Sequence, residues 1–399
     1  MTIYVDNNAT TKVDERVLAA MLPYLTEFYG NPSSMHRFGG QVAKALQTAR
    51  EQVADLIGAL PSEIIFTSCG TEGNNAAIRS ALATLPDRKH IITTQVEHAC
   101  VLNLCKTLEK QGYRVTYLSV DGTGMLDLLE LEAALTGDTA VVSTMYANNE
   151  TGVIFPVEQI GALVKSYGAL FHVDAVQAVG KIPINLQNSV IDLLTLSGHK
   201  FHAPKGVGAL FVRRGVRFRP LLIGGHQERN RRGGTENVAG IVGLGQAALL
   251  AQQHLAQMQS VQALRDHLER SILRTIPDTV VNGQGSPRLP NTTNIGFKYI
   301  EGEAILLMLD REGICASSGS ACTSDSLEPS HVLRAMGLPY SILHGSIRFS
   351  LSRYTTAVEI DKLLAVLPGI VAKLRALSPF NAEDQGWIEA RTQALVPTN

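Results

Sequence analysis

Between about residue 64 and residue 250 the chain alternates short β-branched runs with longer amphipathic ones. Ile64–Thr67, His90–Thr94, Arg114–Val120, Ala140–Met145, Leu170–Asp174 and Ile191–Leu196 are short, apolar and bounded by polar residues or glycine, the pattern of strands. Between them the apolar positions move to helical spacing. In Pro156–Tyr167, residues Val157, Ile160, Leu163, Val164 and Tyr167 share one face, Pro156 opens the run and Gly168 stops it. Asp14–Phe28 carries Val17, Leu18, Met21, Leu25 and Phe28 on one side, with Pro23 expected to kink it. This alternation predicts an α/β fold with a mostly parallel sheet covered by helices on both faces. A long helical pattern over Glu236–Thr275 then breaks the alternation. Thr292–Phe297 and Ser346–Leu351 read as strands, Gly302–Asp310 and Ala357–Leu377 as helices, and together they predict a smaller α+β unit. The expected division is a large domain over 13–255, a small domain made of 1–12 and 256–377, and a polar tail over 378–399 holding the only tryptophan, Trp387.

Composition narrows the class. With 399 residues, 45% hydrophobic and 18% charged, the chain can bury a large core and is long enough for two or three structural units. Lys and Arg number 35 against 36 Asp and Glu, so the net charge of −1 gives no global pull toward nucleic acid or an anionic membrane. The greasiest stretches, Ala239–Ala251 and Ala304–Leu309, are short or broken by Gly and Gln, below the ~18 residues that a membrane span needs. The start, MTIYVDNNATTKVD, has no basic region followed by an apolar run, so no secretory signal is expected. Five cysteines, an odd number in a long chain, point to a reducing cytoplasm rather than a disulfide scaffold. No C-x-x-C pair occurs among them, which argues against a structural zinc site and leaves no metal expected.

In α/β folds ligands bind at the carboxyl ends of the strands, so the loops there carry the chemistry. After Ile64–Thr67 comes Ser68-Cys69-Gly70-Thr71-Glu72-Gly73, opening a helix; its free N–H groups suit a phosphate, with an ordinary capped helix start as the alternative. Leu170–Val173 ends in Asp174, an acid that could hold a cationic nitrogen or merely cap a turn. Ser197-Gly198-His199-Lys200 follows the next run, and a lysine there could form a Schiff base with an aldehyde; Lys205 is its rival. Gly224–Glu236 is Gly-rich and basic, open to an anion clamp, an arginine-rich interface or a solvated face. Cys322 lies in a run of very small residues, Ala316–Ser324, which favours an exposed loop and makes the thiol a candidate nucleophile. Gly243-Leu244-Gly245-Gln246-Ala247-Ala248 imitates a dinucleotide fingerprint, but no strand precedes it, and close helix packing accounts for it better.

A single aldehyde cofactor unites several of these loops. Pyridoxal 5′-phosphate (PLP) needs a lysine, an acid for its ring nitrogen and a phosphate cradle, which Lys200, Asp174 and the Gly70-Thr71 turn could supply. The motifs DNNATT (6–11), SCGTE (68–72), VEH (96–98), ANNETG (147–152), HVDAVQ (172–177), SGHK (197–200), RGGTEN (232–237), SSGSACTS (317–324) and IRFSLSRYT (347–355) carry the resemblance further. From about Ile3 to Leu377 the chain closely resembles the NifS/IscS-type cysteine desulfurases, with the nitrogenase-associated NifS branch most similar. The resemblance implies fold type I of the PLP-dependent transferases (class V aminotransferases). It also implies a homodimer, L-cysteine as substrate, and delivery of sulfur to an iron–sulfur scaffold or another acceptor protein.

By this resemblance Lys200 carries PLP, His98 stacks on the ring, Asp174 pairs with the ring nitrogen and Gln177 contacts the ring hydroxyl. Gly70, Thr71, Ser197 and His199 hold the phosphate, and Thr235 reaches it from the other subunit. Asn149 and Arg348 bind the substrate carboxylate. Cys322 takes sulfur as a persulfide, with Lys200 and His98 moving protons. Ala99 and Asp325 stand where the family commonly has Pro and Gly. Three competing readings are another PLP enzyme such as an aminotransferase or selenocysteine lyase, a cluster- or nucleic-acid-binding scaffold, and a dinucleotide-dependent dehydrogenase. Cys322 speaks against the first, because those reactions need no protein thiol to accept sulfur.

Overall fold

The computed structural model describes residues 2–318 and 329–379. Its strands are, in chain order, β1 (Ile3–Tyr4), β2 (Ile64–Thr67), β3 (His90–Thr94), β4 (Arg114–Leu118), β5 (Thr139–Met145), β6 (Leu170–Asp174), β7 (Leu193–Ser197), β8 (Gly208–Val212), β9 (Thr279–Val281), β10 (Thr292–Phe297), β11 (Ile314–Cys315) and β12 (Ser346–Ser350). The largest sheet has seven strands in the order β2-β8-β7-β6-β5-β3-β4. Only β8 runs against its neighbours, pairing antiparallel with both β2 and β7. Every residue of β2, β3, β5, β7 and β8 is buried, as expected of a sheet covered on both faces. A three-stranded antiparallel sheet, β12-β10-β9, and the short parallel pair β1-β11 complete the framework.

The sequence reading assigns no element to Gly208–Val212, which is β8. The run GALFV opens on Gly-Ala and holds a single β-branched residue, so its strand signal is weak. The omission matters, because β7 and β8 form an antiparallel pair joined directly by the loop 198–207, and Lys200 lies in that loop. The expected helix over Asp14–Phe28 is two short helices, Glu15–Met21 and Pro23–Thr26, with Asp14 as the cap of the first and Pro23 opening the second. The helical pattern of Glu236–Thr275 divides into Val238–His254 and Met258–Thr275 around a 3₁₀ turn.

Apolar side chains gather around the two larger sheets. One cluster packs Val17, Val53, Phe66, Val142, Phe171, Leu196 and Leu244 around the seven-stranded sheet, and the late residues Val332, Leu333 and Met336 return to it. Another packs Ile3, Val5, Leu268, Phe297, Leu309, Phe349 and Leu363 around the three-stranded sheet, so the first strand of the chain belongs with its last third. No helix among the described residues is long and apolar enough to cross a membrane.

Gly243 and Gly245 occupy the middle of the Val238–His254 helix and are buried. A Cβ on Gly245 would come within 2.5 Å of Ala49 Cα, in the facing helix Arg37–Ile57, and one on Gly243 within 2.7 Å of Met21 Sδ. These glycines let helices approach, which is the role the sequence suggested for them over dinucleotide binding. Gly245→Val is therefore expected to destabilise the protein by about 2 kcal/mol through overpacking against backbone, measured as a lowered urea midpoint with the slope unchanged.

Candidate active site

The carboxyl ends of β2, β3, β5, β6 and β7 all open on one edge of the large sheet, because these strands share one direction. A cavity of about 390 Å³ lies at that edge. Gly70, Thr71, His98, Asn149, Asp174, Gln177, Ser197, His199, Lys200 and Arg348, all singled out from the sequence, line it together. Thr235 is not among them in this chain; it opens instead on a separate space of about 130 Å³ beside Ser68 and Arg232. Cys322 lies outside the described residues.

Gly70 starts a helix, Gly70–Thr84, whose cap residue Cys69 makes no side-chain hydrogen bond to it. The first N–H groups of that helix are thus left for the cavity, at the positive end of its dipole. Glycine at position 70 leaves room for Val176, whose Cγ2 a Cβ would meet at 2.8 Å and have to displace. Asp174 ends β6, buried in the cavity floor, where Oδ2 accepts from Asn74 Nδ2 at 2.6 Å and Oδ1 from the Val176 N–H at 3.0 Å. Lys200 Nζ donates to the carbonyls of Asn8 and Ala9 at 2.6 and 2.8 Å. Its rival Lys205 is exposed and lies off the cavity.

His98 caps the helix Ala99–Glu109, with Nδ1 accepting from the Cys100 N–H at 3.2 Å. That bond uses the Nδ1 lone pair, so a neutral ring carries its proton on Nε2. His199 Nδ1 lies 3.1 Å from Thr10 Oγ1. Burial, reinforced by Lys200, Lys205 and Lys181, pushes its pKa down to about 4, and the ring is neutral at physiological pH.

Arg348 comes from β12 of the small sheet, is 2% exposed, and enters the cavity from the opposite side. Its Nη1 donates to the Asn149 carbonyl at 2.9 Å and Nη2 to Asp6 Oδ1 at 2.7 Å, while its buried Nε has no hydrogen-bond partner among the described residues. Asn149 is presented by a turn that the Asn148 side chain folds, accepting from the N–H groups of Glu150 and Thr151.

The residues flanking 319–328, the segment that contains Cys322, are anchored near this cavity. Ser317 exchanges backbone hydrogen bonds with Arg348, and Ser330 Oγ donates to Glu150 Oε2 at 2.5 Å. His331 Nε2 lies 2.9 Å from the Glu97 carbonyl, next to His98. The cavity thus offers an amine, a carboxylate, an anion-binding helix end and a guanidinium. That set suits a phosphorylated aldehyde bearing a basic ring nitrogen, together with an amino acid whose carboxylate faces Arg348.

Residues 3–363 match the class-V aminotransferase family. The chain belongs to that family. Class-V relatives similar to it include "Cysteine desulfurase 2" of Trichormus variabilis, 73% identical over 98% of this chain and 99% of that one. "Cysteine desulfurase NifS" of Azotobacter vinelandii is 59% identical over 99% and 98% of the respective chains. Among solved structures, a "NIFS-LIKE PROTEIN" superposes with a TM-score of 0.87 at 41% identity, covering 94% of this chain and all of that one. This class-V chain has the fold the sequence predicts, an α/β architecture with a mostly parallel central sheet flanked by helices.

Asn8, Asn74 and Cys100 also line the cavity, and the sequence reading gave them no role. Asn8 sits in the DNNATT motif and Asn74 one turn into the Gly70 helix, so position offered a signal, but which atom each amide meets did not show. The basic stretch 224–236 is engaged internally. Glu228 takes a bidentate bond from Arg50 at 2.7 Å, Arg229 and Arg231 donate to the carbonyls of Ile64 and Ser62, and Arg232 pairs with Glu72.

Glu97, beside His98, is fully buried. Its Oε1 accepts from Thr94 Oγ1 and the Met145 N–H, and its Oε2 has no partner among the described residues. Burial pushes its pKa up to about 8. A raised folded-state pKa gives stability that is full below the unfolded value near 4.5 and is lost as pH rises through about 8. Relative to Glu97→Gln, which stays neutral, the wild type should lose thermal stability steadily between those limits, and melting curves of both proteins across this range check it.

Proposed function

We infer that this chain is a cysteine desulfurase: it removes sulfur from L-cysteine and releases L-alanine. The observation that carries the reading is one cavity that combines the Lys200 amine, the Asp174 carboxylate and the Arg348 guanidinium, with the flanks of the Cys322 segment anchored near it. The naming of relatives at 57–73% identity as cysteine desulfurases supports it. PLP is the cofactor in this reading, with Lys200 as its attachment point and Asp174, Gln177 and His98 around its ring. Gly70, Thr71, Ser197 and His199 hold its phosphate. When bound, PLP supplies an electron-accepting ring that makes the Cα–H and C–S bonds of an amino acid labile.

The chain's own groups do the rest. Asp174, fixed by Asn74 and Val176, keeps a proton on a ring nitrogen facing it. Arg348 uses its guanidinium, and Asn149 its amide, to hold the substrate carboxylate and so orient the sulfur. Lys200 and His98 are placed to carry the substrate's proton. The Cys322 thiolate attacks the substrate sulfur; an S–S bond forms as the C–S bond breaks, the carbon gains a proton, and the products are L-alanine and a Cys322 persulfide. That persulfide serves an iron–sulfur scaffold or another acceptor protein, and the similarity to the Azotobacter NifS favours nitrogenase cluster assembly.

The working form is a homodimer in which Thr235 of one copy serves the phosphate of the other. The place of Thr235 away from its own cavity, and the exposed Leu25, Tyr29, Met35 and Ile223, support that arrangement. The four described cysteines are free, consistent with a cytoplasmic protein. The division of the chain at 13–255 and 256–377 is kept, supported by its two larger apolar clusters except at Val332, Leu333 and Met336, which pack with the large sheet.

Purified PLP-loaded protein, given L-cysteine and a thiol reductant, should release alanine and sulfide in equal amounts. Cys322→Ala should keep the yellow colour and lose roughly two orders of magnitude or more of that rate, and Lys200→Ala should lose the Lys200-dependent visible band. A folded, yellow wild type that makes no alanine from cysteine would sink the reading.

A further inference from the structure

Lys181 lies beneath the cavity wall rather than in it. It is 7% exposed and borders a small separate space of about 30 Å³, whose only residue in common with the main cavity is Lys200. Its Nζ donates to Gln177 Oε1 at 2.7 Å and to Asn8 Oδ1 at 3.3 Å.

Each amide also makes a bond that does not involve the lysine, and that bond identifies which of its atoms is the nitrogen. Gln177 Nε2 donates to the Asn8 carbonyl at 3.0 Å, and Asn8 Nδ2 donates to the Asn149 carbonyl at 3.2 Å. A backbone carbonyl only accepts, so the amide oxygens of Gln177 and Asn8 must be the atoms turned toward Lys181, and Lys181 must be their donor. Asn8 Oδ1 has a second donor, Asn291 Nδ2 at 3.0 Å, whereas Gln177 Oε1 has only Lys181 among the described residues. The Asn8 carbonyl that receives Gln177 also receives Lys200 Nζ. Lys181, Gln177, Asn8 and Lys200 are thus linked in one buried chain of hydrogen bonds. The charged or titratable groups around Lys181 among the described residues are Lys200, His199 and Arg348 on the cavity side and His202, His254 and Arg353 around the small space. Burial, then Lys200 and Arg348, drives the Lys181 pKa far down, and an uncharged amine still donates.

We propose that Lys181 is a positioning residue for the reactive lysine: it holds Gln177 with its amide nitrogen toward Asn8 and the cavity, and acts on the bound cofactor only through that amide. The inference rests on the reading of Lys200 as the PLP lysine. A methionine at 181 removes the donor, leaves Gln177 Oε1 buried and unpaired, and so frees the amide to turn. The N–H that Gln177 offers an electron-rich oxygen of the cofactor is then lost, which disfavours the more anionic form and raises the pH at which the visible band titrates.

The test titrates the visible absorbance of PLP-loaded wild type, Lys181→Met, Gln177→Met and the double variant from neutral to alkaline pH. The expected result is an upward shift of about one pH unit in Lys181→Met, a comparable shift in Gln177→Met, and no further shift in the double variant. The double variant removes both partners of the buried pair and tolerates folding better than Lys181→Met alone. Should that single variant not fold, coincidence of the double variant with Gln177→Met still carries the proposal, and a further displacement overturns it. A Lys181→Met midpoint equal to wild type, or shifts that add in the double variant as a direct field effect would, also overturns it. A wild-type band that persists in Lys200→Ala brings down the Lys200 reading and this proposal with it, and is recognised by that variant alone.

Discussion

The site depends on one buried asparagine. Asn8 uses every polar atom it has: its N–H donates to Ser350 Oγ, its carbonyl receives Lys200 and Gln177, its Oδ1 receives Lys181 and Asn291, and its Nδ2 donates to Thr292 Oγ1 and the Asn149 carbonyl. Ser350 and Thr292 belong to the small sheet; Lys200, Gln177 and Lys181 follow strands of the large one. A short side chain with both a donor and an acceptor is the only kind that can close this node. Aspartate would lack the donors, and a hydrophobic residue would leave several buried groups unpaired at about 1–3 kcal/mol each.

That node ties the two sheets together, and polar groups from both line the cavity. Burial drives groups at or behind its wall, Glu97, His199 and Lys181, toward their neutral forms. Asp174 and Arg348 instead have dedicated partners, Asn74 and Val176 for the acid and Asp6 for the base. Fixed, partnered charges in a wall of neutral dipoles act strongly on whatever enters, since little water screens them. The same burial makes Arg348 a demanding residue: its Nε has no hydrogen-bond partner among the described residues, at a cost in desolvation.

Regular pattern carried the sequence a long way. The runs that became β2, β3, β5 and β6 stand within a residue of their observed limits, because buried parallel strands are short, branched and sharply bounded. The Gly70-Thr71 turn, Asp174 and Lys200 were legible as candidates because each closes a strand, where α/β folds place their chemistry. Between Lys200 and its rival Lys205, the turn residues Pro204 and Gly206 and the motif resemblance favoured Lys200. What the residues did not show was β8, a run opening on Gly-Ala, whose antiparallel return leaves Lys205 on the outside.

The amino-acid sequence by itself therefore determined the order of elements, the loops that face the ligand and, through its motifs, the family. Tertiary structure decided which atoms those loops meet: Asn74 on Asp174, Arg348 brought across from the other sheet, Gly245 as a helix contact, and Lys181 behind Gln177. The physical reason is that periodicity records which face of an element is buried, a local property. Which donor satisfies which buried acceptor depends on residues far apart in the chain, and is fixed only when the sheets close on one another.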